Sequence, residues 1–446
     1  MHEILVKSKE FKDSPLGKIP KDWDVKPLSE LADVDRGKFT HRPRNDPRFY
    51  GGSYPFIQTG DIANSSGGIL STYSQTLNER GITVSREFPV GTIAITIAAN
   101  IADTAILGIP MFFPDSVVGA VVKKPNSIRY VELCIRRAKQ RLDARAPQSA
   151  QKNINLEDLR PLLIPVPSPE EQHRIAEVID TIDSAIAHTS SLIAKLKQMK
   201  AGLLHDLLTR GLDENGELRD AIEHPEQFKD SPLGRIPKDW EATTIGEQAS
   251  TSSGSTPNRS NPKYWQDGTI AWVKTGEVNY TFIQDTEEKI TQKALNETSL
   301  TVYPVDTVLM AMYGQGVTRG KVGILGIEST TNQACAAIIP KDNKLVSRYL
   351  FHYLSYYYDE IRSMSHGSNQ SNLNERLIAS FPIQLPPIKE QIGIVEIIDT
   401  HDTRIHAEEA YCDKLKLQKK GLMHDLLTGK VRIKDADKFT SASDTV

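Results

Sequence analysis

Residues 11–23 read FKDSPLGKIPKDW and residues 228–240 read FKDSPLGRIPKDW, so one phrase recurs 217 positions later with Lys18 exchanged for Arg235. A period that long cannot belong to a solenoid, whose repeats run to roughly 20–50 residues. It is the length of a domain with its connector. A second phrase echoes too: SPEEQHRIAEVIDTIDSAIAHTSSLIAKLKQMKAGLLHDLLT (168–209) returns, offset by 219, as PIKEQIGIVEIIDTHDTRIHAEEAYCDKLKLQKKGLMHDLLT (387–428). The order is A-B-A′-B′, and 446 residues exceed what one hydrophobic core usually serves.

Part B reads as a long helix. Ser168 can cap the first turn, Pro169 suits the first helical position, and Glu171 completes the spacing of a capping box. Gly211 and Gly429 follow as terminators. Ile175, Ile182, Leu196 and Leu203 fall seven apart around Thr189, with Val178, Ala185, Leu192 and Met199 in the complementary position, which is the pattern of a coiled-coil seam. The second copy keeps Ile394, Ile397, Ile398, Ile405, Leu415, Leu422 and Leu426 but sets His401 and Glu408 in the seam, which predicts looser packing there. A lone helix cannot bury such a stripe, so the two B helices are expected to pack antiparallel on each other. The alternative is that each packs on its own domain.

Part A reads as mixed α and β. YPFIQTGDI (54–62) matches IAWVKTGEV (270–278), FPVGTIAITIA (88–98) matches YPVDTVLMAMY (303–313), and QKNINLEDLRPLLIPVP (151–167) matches QSNLNERLIASFPIQLP (370–386). β-rich runs such as GTIAITIA and QACAAIIP alternate with Gly, Pro and Asn turns. Between the matches, DRGKFTHRPRNDPRFYGG and STSSGSTPNRSNPKYWQD are expected to be unrelated loops on one frame. RGLDENGELRDAIEHPEQ (210–227) reads as a polar connector and the last residues as a loose tail.

Composition narrows the partners. Thirty-nine per cent hydrophobic and 25 per cent charged is ordinary globular usage. Cys134, Cys335 and Cys412 lack the spacing of a zinc site or a disulfide framework, which suits a reducing cytoplasm, and no apolar run approaches a membrane span. The net charge of -3 hides segregation: residues 1–160 hold 23 Lys/Arg against 18 Asp/Glu, whereas residues 224–386 hold 15 against 17.

A search for catalytic constellations finds near misses. NPKY (261–264) lacks the second Pro of an adenine methyltransferase motif, and GQGVTRGKV (314–322) has the wrong glycine spacing for a phosphate loop. The pairs His205-Asp206 and His424-Asp425 point in different directions on a helix, so capping or docking is the expectation. Thr59-Gly60-Asp61 and Thr275-Gly276-Glu277 read as structural turns.

The loops instead offer residues that match base edges. One set is Arg36, Lys38, Arg42, Arg44, Arg48, Asn100, Arg145, Gln148, Gln151, Lys152 and Asn153. The other is Ser253, Thr256, Asn258, Arg259, Lys263, Tyr313, Gln315, Thr318, Arg319, Lys321, Ser368, Asn369, Gln370 and Asn372. Arg and Lys can chelate guanine O6 and N7, and Asn and Gln adenine N6 and N7.

The duplicated DSPLGKIPKDW opening, the TGDI and TGEV turns, the EQ entry to a long helix and the LLT exit resemble the specificity subunit of type I restriction-modification systems, from about residue 8 to 432. The resemblance implies an α+β chain with a pseudo-two-fold internal repeat, in which two mixed α/β target recognition domains are separated by two long antiparallel coiled-coil helices. The boundaries would be 1–167 for target recognition domain 1, 168–210 for helix 1, 211–227 for a linker, 228–386 for target recognition domain 2, 387–429 for helix 2 and 430–446 for a tail. Each domain would read one half of a split double-stranded DNA target, while the coil sets the gap and seats two modification subunits. Those partners would carry S-adenosylmethionine and methylate adenine N6. The chain itself is expected to hold no cofactor, no metal and no catalytic residue. ATP-hydrolysing restriction subunits are a further implied partner, and a system that only methylates is left open. A single-chain methyltransferase or nuclease would need a catalytic motif, and unequal Arg/Asn/Gln-rich loops on equal frames favour DNA over a protein-binding scaffold.

Overall fold

The computed structural model describes residues 3–65, 67–98, 100–145, 153–314, 316–364 and 372–435, without the side chains of Glu3, Ile4, Arg145, Lys434 and Asp435. It divides into two compact units, Met1–Ser190 with Ala410–Val446, and Ser191–Glu409.

In the first unit a five-stranded sheet runs in the order Ala32–Arg36, Val117–Val122, Ile93–Thr96, Thr104–Leu107, Ile69–Leu70, antiparallel except for the last pair. The second unit repeats it strand for strand as Ala249–Ser253, Cys335–Pro340, Val308–Ala311, Val322–Leu325, Phe282–Ile283, again with one parallel pair at the end. The central strands IAIT and VLMA are buried at every position. They read as unbroken apolar runs because both faces are covered. Ile93 and Ile95 pack with Tyr130, Val131 and Ile135 of the helix Ile128–Arg137, whereas Ala94 packs with Phe88, Met111 and Phe113. Val308 and Met310 likewise meet Tyr349, Leu350 and Tyr353 of the helix Ser347–Tyr356, with Leu309 and Ala311 turned to the other cluster.

The second layer is where the copies part. The first unit has four strands, Gln75–Leu77, Tyr50–Phe56, Met111–Phe113 and Arg86–Phe88, and the second has three, Glu288–Ile290, Ile270–Val273 and Thr330–Thr331. Where the fourth strand would be, Tyr303 forms an isolated bridge with Ser329.

Each copy of the repeated phrase is a hairpin, Phe11–Ser14 with Gly17–Pro20 and Phe228–Ser231 with Gly234–Pro237. Gly17 and Gly234 take φ of +91° and +89°, which favours glycine, and the Ser14 and Ser231 hydroxyls donate to their carbonyls at 2.6 and 2.7 Å. Trp23 and Trp240 close the phrase in the core, fully buried. Lys12, Asp13, Pro15, Gly17, Lys21 and Asp22 are exposed, yet they recur unchanged in the second copy.

The long helices are Pro169–Thr209, 41 residues, and Ile388–Leu427, 40 residues. In the first unit the front half of the first runs antiparallel to the back half of the second: Asp183 pairs with Lys419, and Ser190 Oγ lies 3.6 Å from Cys412 Sγ. In the second unit the other halves do the same, with Lys200 on Asp402 and Lys197 on Glu409 at 2.6 Å. The two packings weighed from sequence both occur. The seam pairs helix with helix, while the helix ends Ile175, Ile179, Leu426 and Leu427 enter one domain core and Leu207, Leu208, Ile394 and Ile398 the other.

Each frame is thus completed by the end of the other copy's helix. Arg432 reaches Glu171 and Asp22 beside Trp23; Arg219 reaches Glu390 and Asp239 beside Trp240. Glu171 therefore makes half a capping box: its N–H donates to the Ser168 hydroxyl, but its carboxylate turns to Trp23 Nε1 and Arg432. Val431–Asp435, in the segment read as a tail, forms a strand with Glu3–Lys7. The duplication extends to an ion network. Arg129, Asp180, Asp183 and Lys419 join the helix Ile128–Arg137 to the coil in the first unit; Arg348, Asp399, Asp402 and Lys200, each 219 positions away in the repeat, join the helix Ser347–Tyr356 to it in the second.

Candidate nucleic-acid interface

Register gathers the candidate residues at one end of each five-stranded sheet. Arg36, Val118, Ile95 and Thr104 lie in line across the first sheet, so the loops after Arg36, after Thr96 and before Val117 open together. Lys38 and Asn100 are exposed on two of those loops, and Asn153 joins them through a bridge to Ala98. The long loop is anchored by Phe39, which is buried with Phe49, Tyr50 and Phe56. Its cations have defined partners. Arg42 and Arg44 both reach Asp115 Oδ2, at 2.8 and 2.7 Å, and Arg36 donates to the Asp115 carbonyl. Arg48 forks onto Asp46, and its hydrogen bonds hold the Asp46 carboxyl far below the usual carboxylate range. Ion pairs whose guanidinium is more than half exposed are weak, so they orient these groups without preventing exchange onto a stronger acceptor.

The second sheet lines up Ser253, Ala336, Met310 and Val322 in the same way. The loop from Met312 to Lys321 carries Tyr313, Thr318, Arg319 and Lys321; it is braced by Arg362 on the Gly316 carbonyl at 2.8 Å and by Lys321 on Asn279 at 2.7 Å. Asn372 is exposed beside it, next to the Leu373 N–H that donates to the Met312 carbonyl. Thr256 bonds Gln333, and Asn258 caps Ser260. Lys263 is exposed on the next turn. Arg259 lies over the rings of Trp265 and Trp272, at 3.9 and 4.6 Å, and pairs with Glu288, whose carboxyl is lowered by that bond. In this conformation it supports the loop. Thr256, Arg259, Lys274, Asn332 and Gln333 line a recess of about 460 Å³. Gln148, Gln151, Lys152, Gln315, Ser368, Asn369 and Gln370 lie outside the described residues, as does the side chain of Arg145.

The loops expected to be unrelated share a hidden frame. Asp46-Pro47-Arg48-Phe49 and Asn261-Pro262-Lys263-Tyr264 are the same capped 3-10 turn, with the Asp46 or Asn261 side chain accepting from the N–H two residues on. The NPKY stretch is therefore a structural turn. Gly37 and Gly254 also correspond: a Cβ on Gly37 would lie 2.2 Å from the Pro114 carbonyl oxygen, and on Gly254 2.1 Å from that of Thr331. Gly37→Ala is expected to cost about 1–3 kcal/mol through overpacking, seen as lost hydrogen-exchange protection in Val117–Val122. Asp115 and Gln333, absent from the candidate sets, occupy matched positions two residues before Val117 and Cys335, and that shared place in the repeat was the available signal.

Other candidates resolve structurally. Asp61 and Glu277 accept from the N–H of Gln58 and Lys274, and from Ser74 and Glu287, so both TG turns are clamps. His205 meets the Tyr356 hydroxyl at 2.7 Å, and Asp206 pairs with Arg210. Among the described residues His352, Asp399 and Asp402 could hold a metal ion, but Arg348 and Lys200 already counter both carboxylates. No helix among the described residues is long and apolar enough to cross a membrane.

The sequence profile of the type I restriction modification DNA specificity domain matches twice, over residues 20–198 and 237–417. The chain belongs to this family. As a specificity subunit it is a non-catalytic recognition component with two target recognition domains. It is similar to the MjaX specificity subunit of Methanocaldococcus jannaschii, 26% identical over 444 residues, covering 96% of this chain and 98% of that one. It is also similar to the Escherichia coli EcoR124I/EcoR124II specificity subunit, 25% identical over 247 residues, covering 54% and 55% of the two chains. The crystal structure of a type I S subunit from M. genitalium shares the fold with a TM-score of 0.56 at 16% identity, covering 91% of this chain and 96% of that one.

Proposed function

We propose that the two recognition domains, taken as 1–167 and 228–386, read unequal halves of an interrupted DNA sequence while the paired helices fix the gap and seat two modification subunits. The observation that carries this reading is a contrast. The exposed Lys12, Asp13, Pro15 and Lys21 of the hairpin phrase recur unchanged in the second copy and Lys18 is exchanged only for another cation, whereas the long loops that leave the equivalent sheet ends, DRGKFTHRPRNDPRFYGG and STSSGSTPNRSNPKYWQD, carry different side chains at most positions. Identical seats suit identical partners, and one chain acquires the pseudo-dyad a homodimer would have. Different loops suit different half-sites. The partners would supply S-adenosylmethionine, adenine N6 methylation and much of the phosphate contact, since the second recognition segment is mildly acidic. ATP-hydrolysing restriction subunits would join where the system also cuts, all within the cytoplasm.

Purifying the tagged chain from its host and mapping methylated adenines in that host tests this. The expected result is two methyltransferase copies per chain and a split motif with unequal halves, lost on deletion of the gene. One enzyme per chain, or an uninterrupted motif, would refute it.

A further inference from the structure

Resting on that reading, we propose that Asp115 is a positioning residue that presents Arg44, backed by Arg42, to a guanine in the half-site read by the first domain. Three guanidinium groups converge on this one residue, two on its carboxylate and one on its carbonyl. Asp115 is the sheltered member, with 20% of its side chain exposed against 54% for each of Arg42 and Arg44. It stands at the mouth of the sheet, on the turn that Gly37 allows the recognition loop to approach; the Lys38 N–H bonds the Phe113 carbonyl beside it. The two arginines are held differently. Arg42 is tied back to its own loop, donating to the Phe39 and His41 carbonyls, so it serves as a strut. Arg44 meets Asp115 through a single Nη2. Its carbonyl accepts from the Tyr50 hydroxyl, which fixes the backbone from which the side chain springs. An exposed guanidinium so aimed has the planar fork that guanine O6 and N7 accept. A matched comparison lies in the same chain. The second unit places Gln333 where the first has Asp115, bonds it to Thr256, and engages its loop arginine, Arg259, with two indole rings. At this matched position the arginine device belongs to the first domain.

The test is methylome mapping in the host with the wild-type gene, Asp115→Asn, Arg44→Lys or Arg44→Ala at its own locus, with the salt dependence of binding measured on each purified complex. Asp115→Asn keeps shape but releases the arginines, and Arg44→Lys keeps charge but loses the fork. Both are expected to relax the same guanine position of one half-site by about tenfold or more, leaving the gap and the other half-site intact. An unchanged motif in Arg44→Lys overturns the proposal, as does relaxation confined to the other half. An unchanged motif with a shallower salt slope in Arg44→Ala would make Arg44 a phosphate contact and overturn it too. If Asp115→Asn lowers the melting temperature and abolishes methylation, the outcome with Arg44→Lys, whose site is on the surface, decides. A wild-type chain yielding no split motif would instead sink the parent reading.

Discussion

Arg219→Met is expected to destabilise the second unit by about 3–5 kcal/mol while leaving the first unchanged. Arg219 and Glu390 each keep 8% of their side chains exposed, with Nη1 to Oε1 at 2.6 Å and Nη2 to Oε2 at 3.2 Å. Asp239 adds both of its carboxylate oxygens, at 3.2 and 3.0 Å. Removing the arginine strands a buried carboxylate that retains a single backbone donor, the Leu212 N–H. Gly211 leaves no room for relaxation, because a Cβ there would sit 2.1 Å from Glu390 Oε1 and 2.4 Å from the Trp240 ring. Pairing Arg219→Met with Glu390→Leu should recover most of the loss, since a buried pair replaced as a whole by apolar side chains is often neutral. Native-state hydrogen exchange reads the result unit by unit. Protection should fall across residues 236–249 and 378–398 and hold across 93–135. Equal losses in both units, or a fall under about 1 kcal/mol, would contradict the role given to the pair. The corresponding Arg432→Met should reverse the pattern, because Arg432 holds Glu171 and Asp22 in the first unit.

The architecture was legible because its signals repeat. Two helices of 41 and 40 residues follow from the seven-residue spacing of Ile175, Ile182, Leu196 and Leu203 and from Leu415, Leu422 and Leu426, and their antiparallel pairing from the need to bury that stripe. The mixed α and β character of the domains followed from turn residues and β-rich runs, but that the repeated phrase is a hairpin did not. What escaped notice involves residues distant in sequence. Nothing local says that Glu171 will abandon its capping box for Arg432, 261 positions away, or that Leu427 completes the core of the first domain. At the interface, sequence supplied residue types but not their state. Arg42, Arg44, Arg48 and Arg259 look alike as letters; the fold ties the first two to Asp115, the third to Asp46 and the fourth to two tryptophans. A charged residue's partner is set by backbone register, which a list of cations does not contain.

Inserting one heptad into each long helix, between Ser191 and Leu192 and between Ala410 and Tyr411, is expected to widen the gap between half-sites by about three base pairs without altering either half. These points sit where the repeat centres, between the pairs Ser190–Cys412 and Lys197–Glu409. Seven residues turn a helix through nearly two whole revolutions, drifting by about 20°, so seam residues stay in phase across the insertion. The same seven add about 10.5 Å at 1.5 Å per residue, close to three steps of DNA at about 3.4 Å each. Three steps also rotate the duplex by about 100°, given about 10.5 base pairs per turn. The altered assembly should therefore methylate its widened target more slowly than the wild type methylates its own, and lengthening one helix alone should cost more because the pairs Asp183–Lys419 and Lys200–Asp402 could no longer both keep their register. Methylome mapping gives the gap directly. An unchanged gap with altered half-sites would mean that the domains, not the helices, set the distance, and the coil would then be a seat for partners without being a ruler.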